Sequence, residues 1–307
     1  MPAERRPGMD HEHYPWSPIV NRPVLRWPEQ APVALCVIVS LSQMELDPPP
    51  GSLQSSTLAG GIVPRPYPDF PRQSHREYGH RVGIFRVLDV LAAHGVPATV
   101  AVDALTAEGY PQLMSELTAR GCEIIAHGIS ASQMISSRMS ESEERAYIAR
   151  SIAACTQATG SAPAGWLSPE YGESVRTPAL LAQAGIRYVC DWVNDEQPYR
   201  MTTPSGQLHA LPLMWELDDV NAVWDRRLTA SRYSRAIVEA FEGLHKDGVR
   251  NARLLALHLH PWLMGQPHRI DSLDAALGEI VRKGGCWMAN GSTIIERFCS
   301  HPPGSEV

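Results

Sequence analysis

Three histidines in two short segments of this 307-residue chain have the spacing best suited to proton transfer. His127 follows an apolar run and precedes Gly128, an arrangement that can present an imidazole at the end of a strand. His258 and His260 alternate with leucines, so both would point to one face of a strand. Because imidazoles exchange protons near neutral pH, His127 and His260 are candidate acid–base catalysts, with His258 hydrogen-bonded beneath His260. Alternatively, His127 only bonds a neighbouring carbonyl.

Two carboxylates and two polar side chains are candidates to assist these histidines. Asp191 or Glu170 would hold one imidazole in its reactive tautomer, although Asp191 could instead cap a turn. Glu170 lies in a proline-containing loop, where a solvated carboxylate is the simpler interpretation. Ser168, Gln43 and backbone N–H groups are candidates to polarise a substrate carbonyl.

Aromatic and basic side chains near these segments predict a binding site for a small molecule. Trp166, Trp192 and Trp262 would form an apolar wall suited to a small flat ring, although tryptophans more often belong to the core. His268 and Arg269 lie on a segment that could close over a substrate, unless Arg269 pairs with a nearby acid.

Alternating strand and helix patterns must position these residues. Apolar runs predict strands at 33–41, 98–102, 123–126, 165–167, 188–190, 209–213, 253–259 and 286–288. Helical spacing and end signals predict helices at 78–94, 111–120, 140–160, 177–185, 231–244 and 272–282, with Thr177 as a helix cap. Roughly seven or eight βα units predict an α/β fold, a single distorted (β/α)7-type barrel with its active site where the strands end. An open doubly wound sheet is the alternative, but no glycine-rich nucleotide motif supports it.

The composition limits the class of protein and its partners. Apolar residues make up 44% of the chain and charged residues 20%, which excludes a mostly disordered chain. A net charge of −6 without a long basic run argues against a nucleic-acid partner, and the apolar runs are too short for a membrane span. Six cysteines without a CxxC pair and the lack of an apolar leader predict free thiols and a cytoplasmic location. Residues 1–30 are expected to form an arm on the surface or on a neighbouring subunit, 31–297 the barrel and 298–307 a tail.

Several short motifs, in order along residues 26–297, resemble the polysaccharide deacetylase superfamily (carbohydrate esterase family 4). They are Arg26-Trp27-Pro28, His127-Gly128, the helix start at 139–145, Gly165-Trp166-Leu167-Ser168-Pro169, Ala184-Gly185-Ile186, Tyr188, Asp191-Trp192, Asp195, Pro198-Tyr199, and His260 followed by Gly265, Pro267 and Arg269. Within the superfamily, they are similar to the branch of metal-independent allantoinases and related cyclic imide hydrolases. The resemblance implies a distorted (β/α)7 barrel, which agrees with the periodicity, and assembly as a homo-oligomer.

The resemblance also implies a metal site that this sequence provides only in part. The family's first strand ends with a catalytic base and a metal-binding acid, where this chain has Ser42 and Gln43. Its second motif has two metal-binding histidines, of which His127 is present and the second is Ala131. Because a hydrolytic zinc normally has three protein ligands, we expect no metal cofactor. A divalent metal such as zinc would need a substitute set, drawn from Glu45, Asp47, His127 and His268.

Three functions remain open after these observations. The first is hydrolysis of a C–N bond in a small cyclic ureide or imide, with the family's roles for Asp191 (orienting) and His260 (general acid) retained. The second is a metal-dependent polysaccharide or N-acetyl deacetylase, and the third is a catalytically degenerate member that binds a ligand. An activated ring demands less of a site without the standard base and metal than an N-acetyl sugar does. We therefore expect an enzyme of the first kind.

Overall fold

Strand β1 (Val33–Leu41) runs through the centre of the fold and is buried along all nine of its residues. In the computed structural model, which describes residues 11–52 and 68–300, this strand pairs in parallel with three others. Residues 33–39 of β1 pair with the strand at 253–259, and residues 37–41 pair with the strand at 98–102 on the opposite edge. A run of β-branched and small apolar residues is typical of a strand that is covered on both faces.

The other strands extend from β1 in a curled, mainly parallel sheet. Their bounds are β2 Ala98–Val102, β3 Glu123–Ala126, β4 Gly165–Trp166, β5 Tyr188–Val189, β6 Tyr199–Arg200, β7 His209–Ala210, β8 Arg253–Leu259 and β9 Cys286–Met288. The order across the sheet is β6, β7, β5, β4, β3, β2, β1 and β8, and β9 pairs with the first residues of β1. β6 and β7 run antiparallel, whereas the other described pairs are parallel.

Isolated backbone hydrogen bonds bring the two ends of this sheet together. The N–H of Met214 donates to the carbonyl of Ala256 at 2.9 Å, and the N–H of Leu254 donates to the carbonyl of Glu196 at 2.7 Å. Strand β8 therefore lies beside the segment that follows β7. The sheet forms a distorted α/β barrel, which confirms the predicted (β/α)7-type architecture and excludes the open doubly wound sheet.

Helices cover the outer surface of the barrel. Their bounds are α1 Phe70–Tyr78, α2 Ile84–Ala93, α3 Ala104–Gly109, α4 Pro111–Ala119, α5 Glu141–Thr159, α6 Thr177–Gln183, α7 Ala230–Gly248, α8 Pro261–Met264, α9 Ile270–Lys283 and α10 Gly291–Ser300. The predicted capping box of α5 is present, because Ser140 and Glu143 bond each other's backbone N–H groups. The predicted cap of α6 is wrong: the Thr177 hydroxyl donates to Glu144, and the helix begins at Thr177 itself.

Alternate residues of β1 face opposite sides of the barrel wall. The odd-numbered side chains of residues 33–41 pack with the surrounding helices in one apolar cluster. The even-numbered Ala34, Cys36 and Ile38 face a second cluster inside the barrel. Ser40 and Ser42 continue that inner row toward the carboxyl end of the strand and are also buried. The barrel interior therefore changes from apolar to polar at the end where the sequence predicts the active site.

The described part of the predicted arm packs closely on the barrel. Leu25 and Trp27 are buried, and the indole N–H of Trp27 donates to the carbonyl of Arg253 at 2.7 Å. Arg22 forms an ion pair with Asp195. Residues 1–10 of the predicted arm and 301–307 of the predicted tail lie outside the described residues, and α10 extends past 297 to Ser300. Within the described ranges, no helix combines the length and apolar character needed to cross a membrane.

Candidate active site

Two consecutive aspartates hold the two histidines of β8 at the mouth of the barrel. The Nδ1 atom of His258 lies 2.7 Å from Oδ2 of Asp218, and Nδ1 of His260 lies 2.6 Å from Oδ1 of Asp219. The backbone N–H of His260 donates to Oδ2 of Asp219 at 2.7 Å. The two imidazole rings are 4.4 Å apart between centroids, and each has its own carboxylate. This arrangement fixes the ring orientations and leaves Nε2 of His260 available for proton transfer.

The protonation of these pairs is set by burial and by their mutual charges. Burial alone would raise the pKa of Asp218, but the neighbouring His258 ring lowers that pKa below its ordinary value overall. Burial, followed by the charge of Asp218, raises the pKa of Asp219, while the backbone N–H of His260 and the charge of His258 favour its ionised form. Burial lowers the pKa of His260 overall, while the charge of Asp218 raises it and the positive charge of Arg76 lowers it. His260 is therefore neutral at pH 7 and shares a short hydrogen bond with Asp219.

His258 lies one layer deeper than His260 and is bonded on both ring nitrogens. Its Nε2 atom lies 2.6 Å from Oγ of Ser40, while the Tyr171 hydroxyl lies 2.7 Å from its Nδ1 atom. The same hydroxyl donates to Asp218 at 2.8 Å. His258 is thus buried and hydrogen-bonded, the arrangement that the alternation of the strand favours for it. We assign it a positioning role beneath His260.

His127 presents a neutral imidazole from the end of β3. Its Nδ1 atom lies 2.7 Å from the carbonyl oxygen of Leu167, and because a carbonyl only accepts, Nδ1 carries the proton. Nε2 is then an acceptor. Burial lowers the pKa of His127 to about 3, the charge of Arg76 lowers it as well, and the hydrogen bond to Leu167 opposes this shift. His127 therefore remains unprotonated near neutral pH, in the same charged environment as His260.

The residues predicted to orient the histidines have other partners. Asp191 accepts a hydrogen bond from the backbone N–H of Ser168 at 2.7 Å, and burial raises its pKa to about 6. Glu170 lies 3.8 Å from the guanidinium of Arg76. The prediction that Asp191 or Glu170 holds an imidazole is therefore wrong, because Asp218 and Asp219 occupy that position in the closed barrel.

The predicted substrate-binding residues separate into two groups. Trp262 lies at the mouth, where its ring faces the guanidinium of Arg76 at 5.0 Å and the ring of His260 at 5.9 Å. Trp166 instead points outward, fully buried among residues of α5 and α6, because the inward position of β4 is Gly165. Trp192 packs against the aromatic side chains of the arm. Of these three tryptophans, only Trp262 lies beside a mouth histidine, and it is itself 3% exposed.

The remaining predicted contacts are peripheral to the histidine pairs. The hydroxyl of Ser168 accepts a hydrogen bond from the Trp166 indole at 2.8 Å, and Ser168 is 1% exposed. The backbone N–H of Gln43 donates to Asp103. Arg269 donates to the carbonyl of Leu263 rather than to an acid, although the charge of Asp219 acts on it. His268 is exposed to solvent.

Five mouth residues were not predicted from the sequence: Ser40, Arg76, Tyr171, Asp218 and Asp219. One signal was available for the two aspartates, because an adjacent acidic pair follows the apolar segment 208–217 directly. No comparable local signal marks Arg76, which lies in a polar helix, or Tyr171, which follows the loop carboxylate.

The described residues do not fit the zinc site that the family resemblance implies. Of the implied ligands His127 is present, but positions 43 and 131 carry an amide and a methyl group. Asp218, His258 and His260 offer possible ligand atoms within 4.8 Å of one another. However, Asp218 and His258 already hydrogen-bond each other, so a metal would have to break that pair.

The substitute metal ligands considered from the sequence have other environments. Glu45 accepts hydrogen bonds from the side chains of Ser130 and Gln133 at 2.5 and 2.8 Å. His268 is exposed to solvent. Within the described ranges, the set of Glu45, Asp47, His127 and His268 does not form a group of possible ligands.

A cavity of about 1180 Å³ lies outside the histidine mouth, between the arm and residues 193–200. Its lining includes Trp215, whose ring packs against Tyr171 at 4.7 Å, so the two regions are adjacent. The cavity lining contains none of the three mouth histidines. We therefore assign the candidate active site to the mouth, because the paired proton-transfer groups lie there.

Comparisons with known proteins agree with this architecture. The polysaccharide deacetylase family model matches residues 77–189. A Schizosaccharomyces pombe protein assigned by name to the polysaccharide deacetylases is 24% identical over 302 residues, which cover 90% of this chain and 93% of that protein. The crystal structure of Puue allantoinase superposes with a TM-score of 0.82 at 23% identity, covering 95% of this chain and 99% of that one.

A second solved structure is a probable polysaccharide deacetylase from Pseudomonas aeruginosa PAO1. It superposes with a TM-score of 0.80 at 23% identity, covering 90% of this chain and 94% of that chain. At these identities the superpositions establish the shared fold, and the family match and the motifs of residues 26–297 agree with it. The chain therefore has the fold of these proteins, and its residues 77–189 match the polysaccharide deacetylase family model.

Proposed function

We propose that the protein is a hydrolase of non-peptide C–N bonds that opens the ring of a small cyclic ureide or imide. The observation that carries this proposal is the His260–Asp219 pair, which leaves one imidazole nitrogen free at the mouth of the barrel. The shared fold with Puue allantoinase supports a ring substrate, and the family match supports an amide-type bond.

His260 would serve in turn as the base and the acid of this reaction. Its Nε2 atom takes a proton from water as the water oxygen forms a bond to the ring carbonyl carbon. The carboxylate of Asp219 stabilises the resulting imidazolium. When the tetrahedral intermediate collapses, the ring C–N bond breaks and His260 returns its proton to the leaving nitrogen. The products are one carboxylate and one amide or ureido N–H group, after loss of the acid proton to solvent.

His127 is suited to binding rather than to proton donation. A residue whose pKa is about 3 carries almost no proton at pH 7, so it cannot act as the general acid there. Its Nε2 lone pair can accept a hydrogen bond from the attacking water or from a ring N–H. We therefore assign the acid step to His260 and the orientation of water or substrate to His127.

Ring-opening assays with and without a chelator test the proposed function. The panel is allantoin, hydantoin, succinimide, phthalimide and an N-acetylglucosamine oligomer, and we expect opening of a ring substrate at an unchanged rate in chelator. Acetate release that stops in chelator would instead support the metal-dependent deacetylase. Absence of turnover across the panel would favour a ligand-binding member, which the replacements at Ser42, Gln43 and Ala131 make the second candidate.

The pH dependence provides an independent check on the role of His260. Burial lowers the pKa of its imidazole below the ordinary value of 6.5, and only the neutral form can take a proton from water. We expect kcat/KM to be constant from pH 6.5 to 8 and to fall about tenfold per pH unit below the lowered pKa. Initial rates in buffers of constant ionic strength measure this profile. A rate that rises as the pH falls below 6 would contradict a neutral base.

A further inference from the structure

Arg76 is a buried cation at the mouth with few hydrogen-bond acceptors. Its side chain is 5% exposed, and its Nη1 atom donates to Oγ of Ser42 at 3.1 Å. Its Nε atom is buried and has no acceptor among the residues that the structure describes. The nearest carboxylate oxygen is that of Glu170, at 3.8 Å from Nη2, which is too long for a hydrogen bond.

Three elements place this guanidinium beside the catalytic groups. Ser42 follows β1, Glu170 follows β4, and Trp262 follows β8, with its ring 5.0 Å below the guanidinium carbon. The charge of Arg76 lowers the pKa values of both His127 and His260. The Trp262 ring lies 5.0 Å from the guanidinium carbon and 5.9 Å from the His260 ring, so Arg76 and His260 border the same part of the mouth.

Burying a cation without acceptors is unfavourable, and a ligand can supply them. A guanidinium has five N–H donors in a planar fork that matches a carboxylate, and Arg76 uses one of them on Ser42. The loosely held Glu170 compensates the charge but leaves those donors free. The site is therefore short of acceptor atoms rather than of negative charge.

We propose that Arg76 binds the oxygen of the ring carbonyl under attack and then the carboxylate formed when the ring opens. This inference rests on the proposed function and adds the group that recognises substrate and product. The ligand class is a planar monoanion, because the carboxylates of Glu170 and Asp218 around the mouth would repel a dianion such as phosphate. The planar fork of the guanidinium itself, held over the Trp262 ring, favours a flat group.

Glu170 acts in this scheme as the resident counter-ion. Its backbone has a φ of +54°, an uncommon conformation for a residue with a side chain, and its carboxylate lies 3.8 Å from Nη2 of Arg76. A product carboxylate and Glu170 would repel each other. Repulsion of this kind limits the affinity for product and helps product to leave.

Binding of ring-opened acids tests the proposed role of Arg76 without requiring turnover. The probes are succinamate and N-carbamoylglycine, with their uncharged amides as controls, and calorimetry at pH 7 measures Kd. We expect the wild-type protein to prefer the acids over the amides and Arg76→Met to lose about ten- to a hundredfold in acid affinity. Arg76→Lys should restore part of the loss, and Glu170→Gln should tighten acid binding. Arg72→Met, one turn earlier on α1 and paired with Asp69, is the matched control and should bind as wild type.

Three outcomes separate this inference from the proposed function. Equal acid affinity in Arg76→Met and wild type would contradict carboxylate binding by Arg76, even if a ring is opened. Equal affinity of the wild-type protein for acid and amide would contradict it as well. Acid binding that depends on Arg76 without any ring opening would support carboxylate binding by Arg76 and contradict the proposed hydrolase function. Circular dichroism of each variant checks that it folds, and Arg76→Lys provides the second measurement if Arg76→Met does not.

Discussion

Asp219→Asn is expected to lower kcat of ring opening by about 10⁴-fold while KM changes little. The asparagine amide would donate toward Nδ1 of His260, where the aspartate now accepts. The imidazole would then carry its proton on Nε2, the atom that must take a proton from water. The imidazolium would also lose its counter-charge. Steady-state rates on the ring substrate identified in the assays measure this effect.

Two further variants make the Asp219 result specific. His260→Ala should lose as much as Asp219→Asn, and the double variant should lose little more, because the pair acts as a unit. Asp225→Asn is the matched control, an exposed carboxylate six residues further along the same segment, and it should leave the rate unchanged. Additive losses in the double variant would mean that Asp219 does not act through His260.

Gly83→Ala is expected to destabilise the fold by about 3 kcal/mol. A Cβ atom at Gly83 would lie 2.1 Å from the carbonyl oxygen of Pro261, and the backbone of Gly83 also approaches Gly265 closely. Because both partners are backbone atoms, no side-chain rotation relieves the clash. The loss is measured as the free energy of unfolding in urea.

A glycine in an open helix position is the matched control for this loss. Gly243 lies inside α7, and a Cβ there would meet no atom within 4 Å. Gly243→Ala should therefore stabilise the protein by roughly 0.5–1 kcal/mol, through helix propensity alone. If Gly83→Ala were as stable as wild type, the close approach of Gly83 to Pro261, the first residue of α8, would be wrong. The same contact holds α1, and with it Arg76, beside Trp262.

The parts of the fold that depend on local patterns are predictable from the sequence. The bounds of β1, β2, β3, β8 and β9 agree with the predicted ranges, because each is a short apolar run between polar turns. The alternation that puts His258 and His260 on one face is likewise a property of the strand itself. Helices α3 and α8, of six and four residues, are too short to produce a periodic pattern.

The partners of the histidines depend on contacts that are distant in sequence. Asp218 and Asp219 follow the short turn Trp215–Leu217, and the bond from Met214 to Ala256 brings them to β8. No periodic pattern in residues 214–219 indicates that this segment lies beside β8. Asp191 does follow a strand as predicted, but the end of β5 is on a different part of the wall and meets the backbone of Ser168.

Backbone strain accounts for another residue that the sequence does not reveal. Glu170 and Tyr171 both have positive φ values, +54° and +57°, although neither is glycine. This conformation places the Tyr171 hydroxyl on His258 and Asp218. Propensity favours glycine or asparagine at such angles, so a sequence with glutamate and tyrosine gives no sign of the turn.

The adjacency of Asp218 and Asp219 has a consequence for how this site can evolve. The two histidines are separated by one residue on a rigid strand, whereas their carboxylates are neighbours in one irregular segment. Insertion or deletion of one residue ahead of Asp218 would displace both carboxylates together. A lineage could thus lose both proton-transfer pairs in a single step while every histidine and the whole barrel remain. A change in the length of this segment, rather than substitution of the histidines, is therefore the simplest change that would convert the enzyme into an inactive relative with the same fold.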